Sequence, residues 1–145
     1  MEFKRILVAI NGTKIDETVI QFACDLAKQS KGKVYVTYVI QLDRTLPLDA
    51  DVEPAVQQAE QVLASAEHCA QDCKYTICTD LLQARAVGPA IVNEAAERGV
   101  DIIMMGMSYK THFGEFSLGD IVPYVLKHAL SHVMILRESV TSTDE

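Results

Sequence analysis

Four short apolar runs constrain this chain more than any other feature. They are the ends of FKRILVAI (3–10) and KVYVTYVI (33–40), then DIIMM (101–105) and HVMIL (132–136). Each is continuously apolar or rich in β-branched residues. A strand with one wet face alternates polar and apolar; a strand without alternation is buried on both faces. Between the runs, apolar residues recur at spacings of three and four. Ile15, Val19, Phe22, Ala23, Leu26 and Ala27 mark a helix over 15–30, with Gly32 as its stop signal. Pro54 opens a helix over 54–71, and Gly88-Pro89 opens one over 88–98 that stops at Gly99. A last helix, 120–130, places Ile121, Val122, Val125, Leu126, Ala129 and Leu130 on one face. Its Pro123 falls in the first turn, where a missing N–H costs little. A weaker strand is expected at 74–80, KYTICTD, where Tyr75, Ile77 and Thr79 alternate with Lys74, Thr76 and Cys78.

The order is therefore β-α-β-α-β-α-β-α-β. Such alternation gives an α/β fold: a doubly wound, five-stranded parallel sheet with helices on both faces and right-handed crossovers. The expected strand order is 3-2-1-4-5. With 145 residues, 49% hydrophobic and 23% charged, the chain can fill one core. The domain is expected over 1–137, with a polar tail at 138–145. The acidic, proline-containing stretch QLDRTLPLDADVE (41–53) is expected to form a mobile flap after the second strand.

Charge removes whole classes of partner. The formal net charge is −7, and no basic stripe offsets it, so nucleic acid and anionic membrane surfaces are both repelled. No run is long enough to span a bilayer, and MEFKRILVAI lacks the series of segments that marks a signal peptide. The expected location is the cytosol, with Cys24, Cys69, Cys73 and Cys78 reduced. Cys69 and Cys73 share a helix face beside His68, but no four-ligand zinc spacing is present; they read as small buried hydrophobes. His128 and His132 are four apart, with a helix end expected between them, which spoils metal geometry. Met104, Met105 and Met107 read as core and pocket lining. Asp16-Glu17 suits the favourable dipole of a first helical turn. No nucleophile has a base beside it, so no catalytic residue is assigned.

Ligands of open parallel sheets bind beyond the carboxyl ends of the strands, where strand order reverses. Here that crevice falls between the first and fourth strands. The loops reaching it are Asn11-Gly12-Thr13 and the stretch from Gly106 to Gly119 within MGMSYKTHFGEFSLGD (105–120). Backbone N–H groups at glycine turns and helix N-termini can cradle phosphate. Ser108, Lys110, Thr111 and His112 could add donors, with Lys110 the obvious cation.

Four segments, ILVAINGT (6–13), VTYVI (36–40), AVGPAIVNEAAERGVDIIMMG (86–106) and LGDIVPYVLKHALSHVMILR (118–137), carry a resemblance to the universal stress protein domain. The likeness covers nearly the whole chain. It implies an adenine nucleotide alpha hydrolase-like fold, a stress-response role and a homodimer joined through the last strand, 132–136. The family's nucleotide motif is glycine, two residues, glycine, nine residues, glycine, then Ser or Thr. Gly106 and Gly119 match its first and third glycines; Tyr109 stands at the second, and Asp120 replaces the hydroxyl residue. By the same resemblance, Asn11 takes the place of a ribose-contacting aspartate, and Ile10, Gly12 and Thr13 beside it are candidate nucleotide-binding positions. Val39 would pack on adenine and Met105 would line the pocket. Gly106 and Gly119 would permit close backbone approach to phosphate, and Ser108, Tyr109, Lys110, Asp120 and Ile121 complete the candidate nucleotide-binding positions.

Both departures have physical consequences. Tyrosine resists the positive φ a loop glycine often holds, so Tyr109 implies a changed backbone path or a ring filling the pocket. Asp120 forfeits a hydroxyl-to-phosphate bond worth roughly 1.5–3 kcal/mol and adds repulsion. Its carboxylate is expected to cap the last helix instead. ATP or AMP is the implied ligand, with Mg²⁺ able to bridge Asp120 to a phosphate. AMP or adenosine is easier to accommodate than ATP. The alternative is a dimeric interaction module that binds no nucleotide and acts through its dimer surface and the 41–53 flap. Slow ATP hydrolysis is the most that an enzyme reading supports.

Overall fold

The computed structural model describes residues 2–109, 111, 112, 115, 116 and 118–140. Five parallel strands form one sheet: β1 (Arg5–Ile10), β2 (Lys33–Gln41), β3 (Cys78–Ala84), β4 (Ile102–Met107) and β7 (His132–Arg137). Their order is β3-β2-β1-β4-β7, which is the expected 3-2-1-4-5. Four helices connect them: α1 (Ile15–Ser30), α2 (Glu53–Asp72), α3 (Val87–Arg98) and α4 (Ile121–His128). The 105–120 stretch, read as a loop, carries two short antiparallel strands, β5 (Thr111–His112) and β6 (Glu115–Phe116).

Alternate residues of β1 enter two separate cores. Ile6, Val8 and Ile10 pack with Val19, Ile20, Ala23 and Leu63 under α1 and α2. Leu7 packs with Ile91, Ala95, Ile103, Met105 and Val125 under α3 and α4. Burial on both faces explains the unbroken apolar runs. Asp101 ties the amino ends of the central strands together. Its Oδ2 accepts the N–H groups of Lys4 (2.8 Å) and Arg5 (2.9 Å), while its own N–H donates to Arg5 O.

Two expectations need correction. The third strand runs over 78–84 rather than 74–80. The chain leaves α2 through a left-handed Lys74 (φ 58°), and the N–H groups of Cys73, Lys74 and Tyr75 cap the helix carbonyls of Cys69, Gln71 and Ala70. Pairing with β2 then begins at Cys78, opposite Tyr35. The last helix stops at His128 because Ala129 is extended (φ −65°, ψ 140°). Leu130 therefore lies outside it and is 93% exposed; Leu126 is exposed too, leaving Val122 and Val125 as the buried face. The 41–53 segment, the expected flap after β2, bonds to the end of β3. Gln83 Nε2 donates to Leu48 O (2.8 Å) and Ala50 O (3.3 Å), Arg85 donates to Asp43 O, and Leu42 is buried.

Candidate functional site

The carboxyl ends of β1 and β4 are neighbours in the sheet, so the loops that leave them face one another across the switch point. The β1–α1 loop turns on Gly12, whose φ of +85° is strained for any other residue type. Its backbone N–H groups converge on one oxygen. Asn11, Gly12 and Thr13 donate to Asp16 Oδ2 at 3.3, 2.7 and 3.1 Å. The Thr13 hydroxyl donates to Asn11 Oδ1 at 2.9 Å, so the Asn11 amide oxygen is already engaged. Asp16 is only 8% exposed. Burial pushes its carboxyl above the ordinary range, and the three N–H bonds pull it partly back. Asp16 was read only as a dipole partner; its capping role was missed. The spacing Thr13-Lys14-Ile15-Asp16 is that of a capping box and carried the signal, although only its carboxylate half forms, the Thr13 hydroxyl being turned to Asn11.

On the β4 side, Gly106 is a packing glycine. A Cβ there would lie 2.6 Å from Ile15 Cγ2 and 3.0 Å from Val19 Cγ2, so the bare backbone lets α1 settle on the sheet. Tyr109 follows a path with no positive φ. Its N–H donates to Glu138 Oε1 at 2.8 Å, and its ring lies under the Arg137 guanidinium, 5.1 Å from the centroid. Ser108 is half-buried beside it. Lys110 and the side chains of Thr111 and His112 lie outside the described residues.

Gly119 has a different reason to be glycine. It holds φ +69°, and an added Cβ would meet nothing within 4 Å, so the turn and not crowding selects it. Asp120 follows at the start of α4, but its carboxylate does not cap the helix. Its backbone is helical (φ −101°, ψ −31°) instead of extended, the conformation from which a capping side chain reaches back. The third helical position is Pro123, which has no N–H to offer. The Asp120 carboxylate is left exposed at the mouth of the helix.

Val39, Met105 and Ile121 all belong to the core cluster under α3 and α4, whereas Ile10 belongs to the opposite cluster. The twelve described candidate positions thus fall on both faces and at the sheet end between them. An open groove of about 560 Å³ lies on the α1–α2 side, lined by Gly12, Thr13, Glu17, Val62, His68 and Asp72 among others. It shares Ile10, Gly12 and Thr13 with the candidate positions. His128 stacks on Tyr124 (centroids 4.2 Å) and His132 meets Phe3 edge-on (5.9 Å), which places the two histidines against different neighbours. Cys24 and Cys69 are buried between α1 and α2, and burial pushes both thiols up to about 11. No group of three or more His, Cys, Asp or Glu among the described residues could hold a metal ion. No helix among them is long and apolar enough to cross a membrane.

Comparison with known proteins agrees with this architecture. The profile of the universal stress protein family matches residues 2–137. A universal stress protein of Methanocaldococcus jannaschii is 23% identical over 142 residues, covering 94% of this chain and 83% of its own. The structure of the universal stress protein from Archaeoglobus fulgidus in complex with dAMP superposes with a TM-score of 0.74 at 20% identity, covering 93% of this chain and 98% of that one. A universal stress protein in complex with cAMP gives 0.70 at 17% identity, covering 94% and 98%. The family match over nearly the full length, on a sheet ordered β3-β2-β1-β4-β7, means that this chain belongs to the universal stress protein family.

Proposed function

We propose that this protein binds an adenine nucleoside or nucleotide at the crevice beyond β1 and β4 and acts as a cytosolic stress-response regulator. The observation that carries this reading is the Gly119 turn. A glycine held at φ +69° in open space presents the start of α4 toward the sheet end, and packing does not require it there. Relatives of the same fold have been solved with dAMP and with cAMP. The site is degenerate. Tyr109 commits its N–H within the chain, and Asp120 sets a carboxylate at the helix start. Monophosphates and nucleosides are therefore favoured over ATP, which would need Mg²⁺ at Asp120 to offset the charge. No activated nucleophile lies among the described residues, and slow hydrolysis is the most this reading includes.

The test uses protein straight from the cell. Its absorbance ratio at 260 and 280 nm is recorded, and small molecules released on denaturation are identified by mass spectrometry. The chain has no Trp, so bound nucleotide dominates the spectrum. Stoichiometric adenine ligand is expected. A clean apo spectrum with no thermal shift in millimolar AMP, adenosine or Mg-ATP refutes the reading.

A second reading, a dimeric interaction module, has its own observation. β7 is an edge strand whose Met134 is 45% exposed, and Phe22 of α1, 53% exposed, lines the same apolar cleft. Exposed apolar edges pair, and a homodimer through 132–136 follows under either reading. Light scattering should give twice the chain mass for the native protein and the single-chain mass for Met134→Asp.

A further inference from the structure

The Asn11 side chain stands at the carboxyl end of β1 with one end of its amide committed and the other open. The Thr13 hydroxyl donates to Asn11 Oδ1 at 2.9 Å, while Nδ2 bonds to none of the described residues. Asn11 is exposed. Side chains alternate along a strand. Ile6, Val8 and Ile10 enter the core under α1 and α2, and Leu7 and Ala9 enter the one under α3 and α4. Asn11, the next residue, continues the second series, on the side of Val39. Strand order fixes its place across the sheet. β1 lies between β2 and β4, so Asn11 stands between Val39 of β2 and the loop that leaves β4 and ends at the Gly119 turn. A nucleoside laid with its base on Val39 and its 5′ end toward Gly119 has its sugar at Asn11.

An asparagine can accept through Oδ1 or donate through Nδ2. Here Thr13 takes the acceptor. We infer that Asn11 faces the crevice as a hydrogen-bond donor, held so by Thr13, and that it reads the oxygens of a sugar and not its hydroxyl protons. The ligand class is then nucleosides whose ribose oxygens are free, etherified or esterified alike. The choice of a nucleoside rests on the nucleotide-site reading; the orientation of the amide does not. A carboxylate at the same place has the opposite demand. It only accepts, so it needs a hydroxyl proton and repels a bare oxygen. Asn11 is thus the specificity-determining residue and Thr13 its positioning residue.

Asn11→Asp makes the comparison atom for atom: the Thr13 hydroxyl keeps one oxygen, and the outward nitrogen becomes an oxygen. Titration calorimetry on the full chain compares native protein, Asn11→Asp and Asn11→Ala, with thermal melts to verify each fold. The probes are adenosine and its 2′,3′-O-isopropylidene ketal, which keeps both sugar oxygens and has neither proton. Native protein should bind the two within about threefold of each other, whereas Asn11→Asp should bind the ketal at least about tenfold more weakly than adenosine, because its carboxylate is left unpaired. Asn11→Ala should weaken both probes alike. A native protein that rejects the ketal by about tenfold, or an Asn11→Asp ratio equal to the native one, overturns the inference. The orientation also has a readout that needs no ligand. In ¹⁵N and ¹³C spectra, Thr13→Val should move the Asn11 Cγ resonance, which loses its donor, and leave the Nδ2 protons exchanging with water as fast as before. Nδ2 protons that are protected in the native protein and released by Thr13→Val put the nitrogen on Thr13 and overturn the inference, whatever the ligands do. If neither nucleoside binds any of the proteins, the adenine reading fails, and the amide spectrum alone decides the orientation.

Discussion

Alanine at position 106 would place a methyl carbon 2.6 Å from Ile15 Cγ2 and 3.0 Å from both Ile15 Cγ1 and Val19 Cγ2. The neighbours are branched side chains in the first turns of α1, with Val19 fully buried, and the glycine itself lies in a strand paired on both sides. Neither partner can yield without lifting the helix. Overpacking of this kind costs about 1–3 kcal/mol. With a urea slope of about 2 kcal/mol/M, the midpoint of Gly106→Ala should fall by roughly 0.5–1.5 M with the slope unchanged. The contact can be isolated with Ile15→Ala, which removes both clashing γ carbons and by itself costs about 2–4 kcal/mol. In the double variant the methyl occupies the vacated space, so the two losses should fall short of additive by about 1 kcal/mol or more. A Gly106→Ala midpoint equal to that of the native protein, with only adenine binding reduced, would show that the glycine serves ligand approach and that the packing account is wrong.

Other consequences are equally open to measurement. Burial raises the Asp16 carboxyl above its unfolded value, so its contribution to stability is complete below the unfolded value and is lost as pH rises through the raised one. Native protein should therefore lose stability relative to Asp16→Asn between acid and neutral pH; a difference that instead grows with pH would mean the three N–H bonds outweigh burial. Removing the acceptor with Asp16→Ala should cost about 1–3 kcal/mol by urea denaturation, because three N–H groups lose their partner. Lys74 is left-handed, and Lys74→Gly should stabilise by about 0.5–1 kcal/mol after the entropy of glycine is counted. Tyr109→Gly with Asp120→Ser should strengthen ATP binding by about tenfold, one charge-assisted bond regained, and a flat calorimetric titration would refute that view of the loop.

β1, β2 and β4 were legible because burial leaves little room for polar residues; β7 was legible from its apolar run although it is an edge strand with Met134 exposed. β3 was not, for the first reason inverted. It is an edge strand whose polar residues have structural partners: Asp80 pairs with Arg98, which also lies over the Tyr35 ring, and Gln83 clips the 42–52 loop. Its alternation was fainter than that of Tyr75 and Ile77, which pack against the core from a turn. α4 was overextended because Leu130 suits an apolar stripe, although it is 93% exposed. At the site, the glycines were visible but their reasons were not. Gly106 answers to Ile15, which lies 91 residues earlier, and Gly119 answers to its own backbone. Asp16 was readable from capping-box spacing. Glu138 was not readable, since its bond to Tyr109 spans 29 residues and depends on the β4–β7 register.

The strand order also decides how this chain emerges from a ribosome. β1 is the first of the five strands to be synthesised and lies at the centre of the sheet, flanked by β2 and β4. Ile6 pairs with Val34 on one side almost at once, but its partner on the other side is Ile102. One edge of the most apolar strand therefore stays open until about 100 residues have followed it out, at roughly 5–20 residues per second. Throughout that interval the nascent chain exposes an unpaired edge of the kind that aggregates. The Asp101 clasp, arriving just before β4, fastens Lys4 and Arg5 and closes the exposure. Truncation before that aspartate should yield a sticky fragment rather than a smaller stable domain.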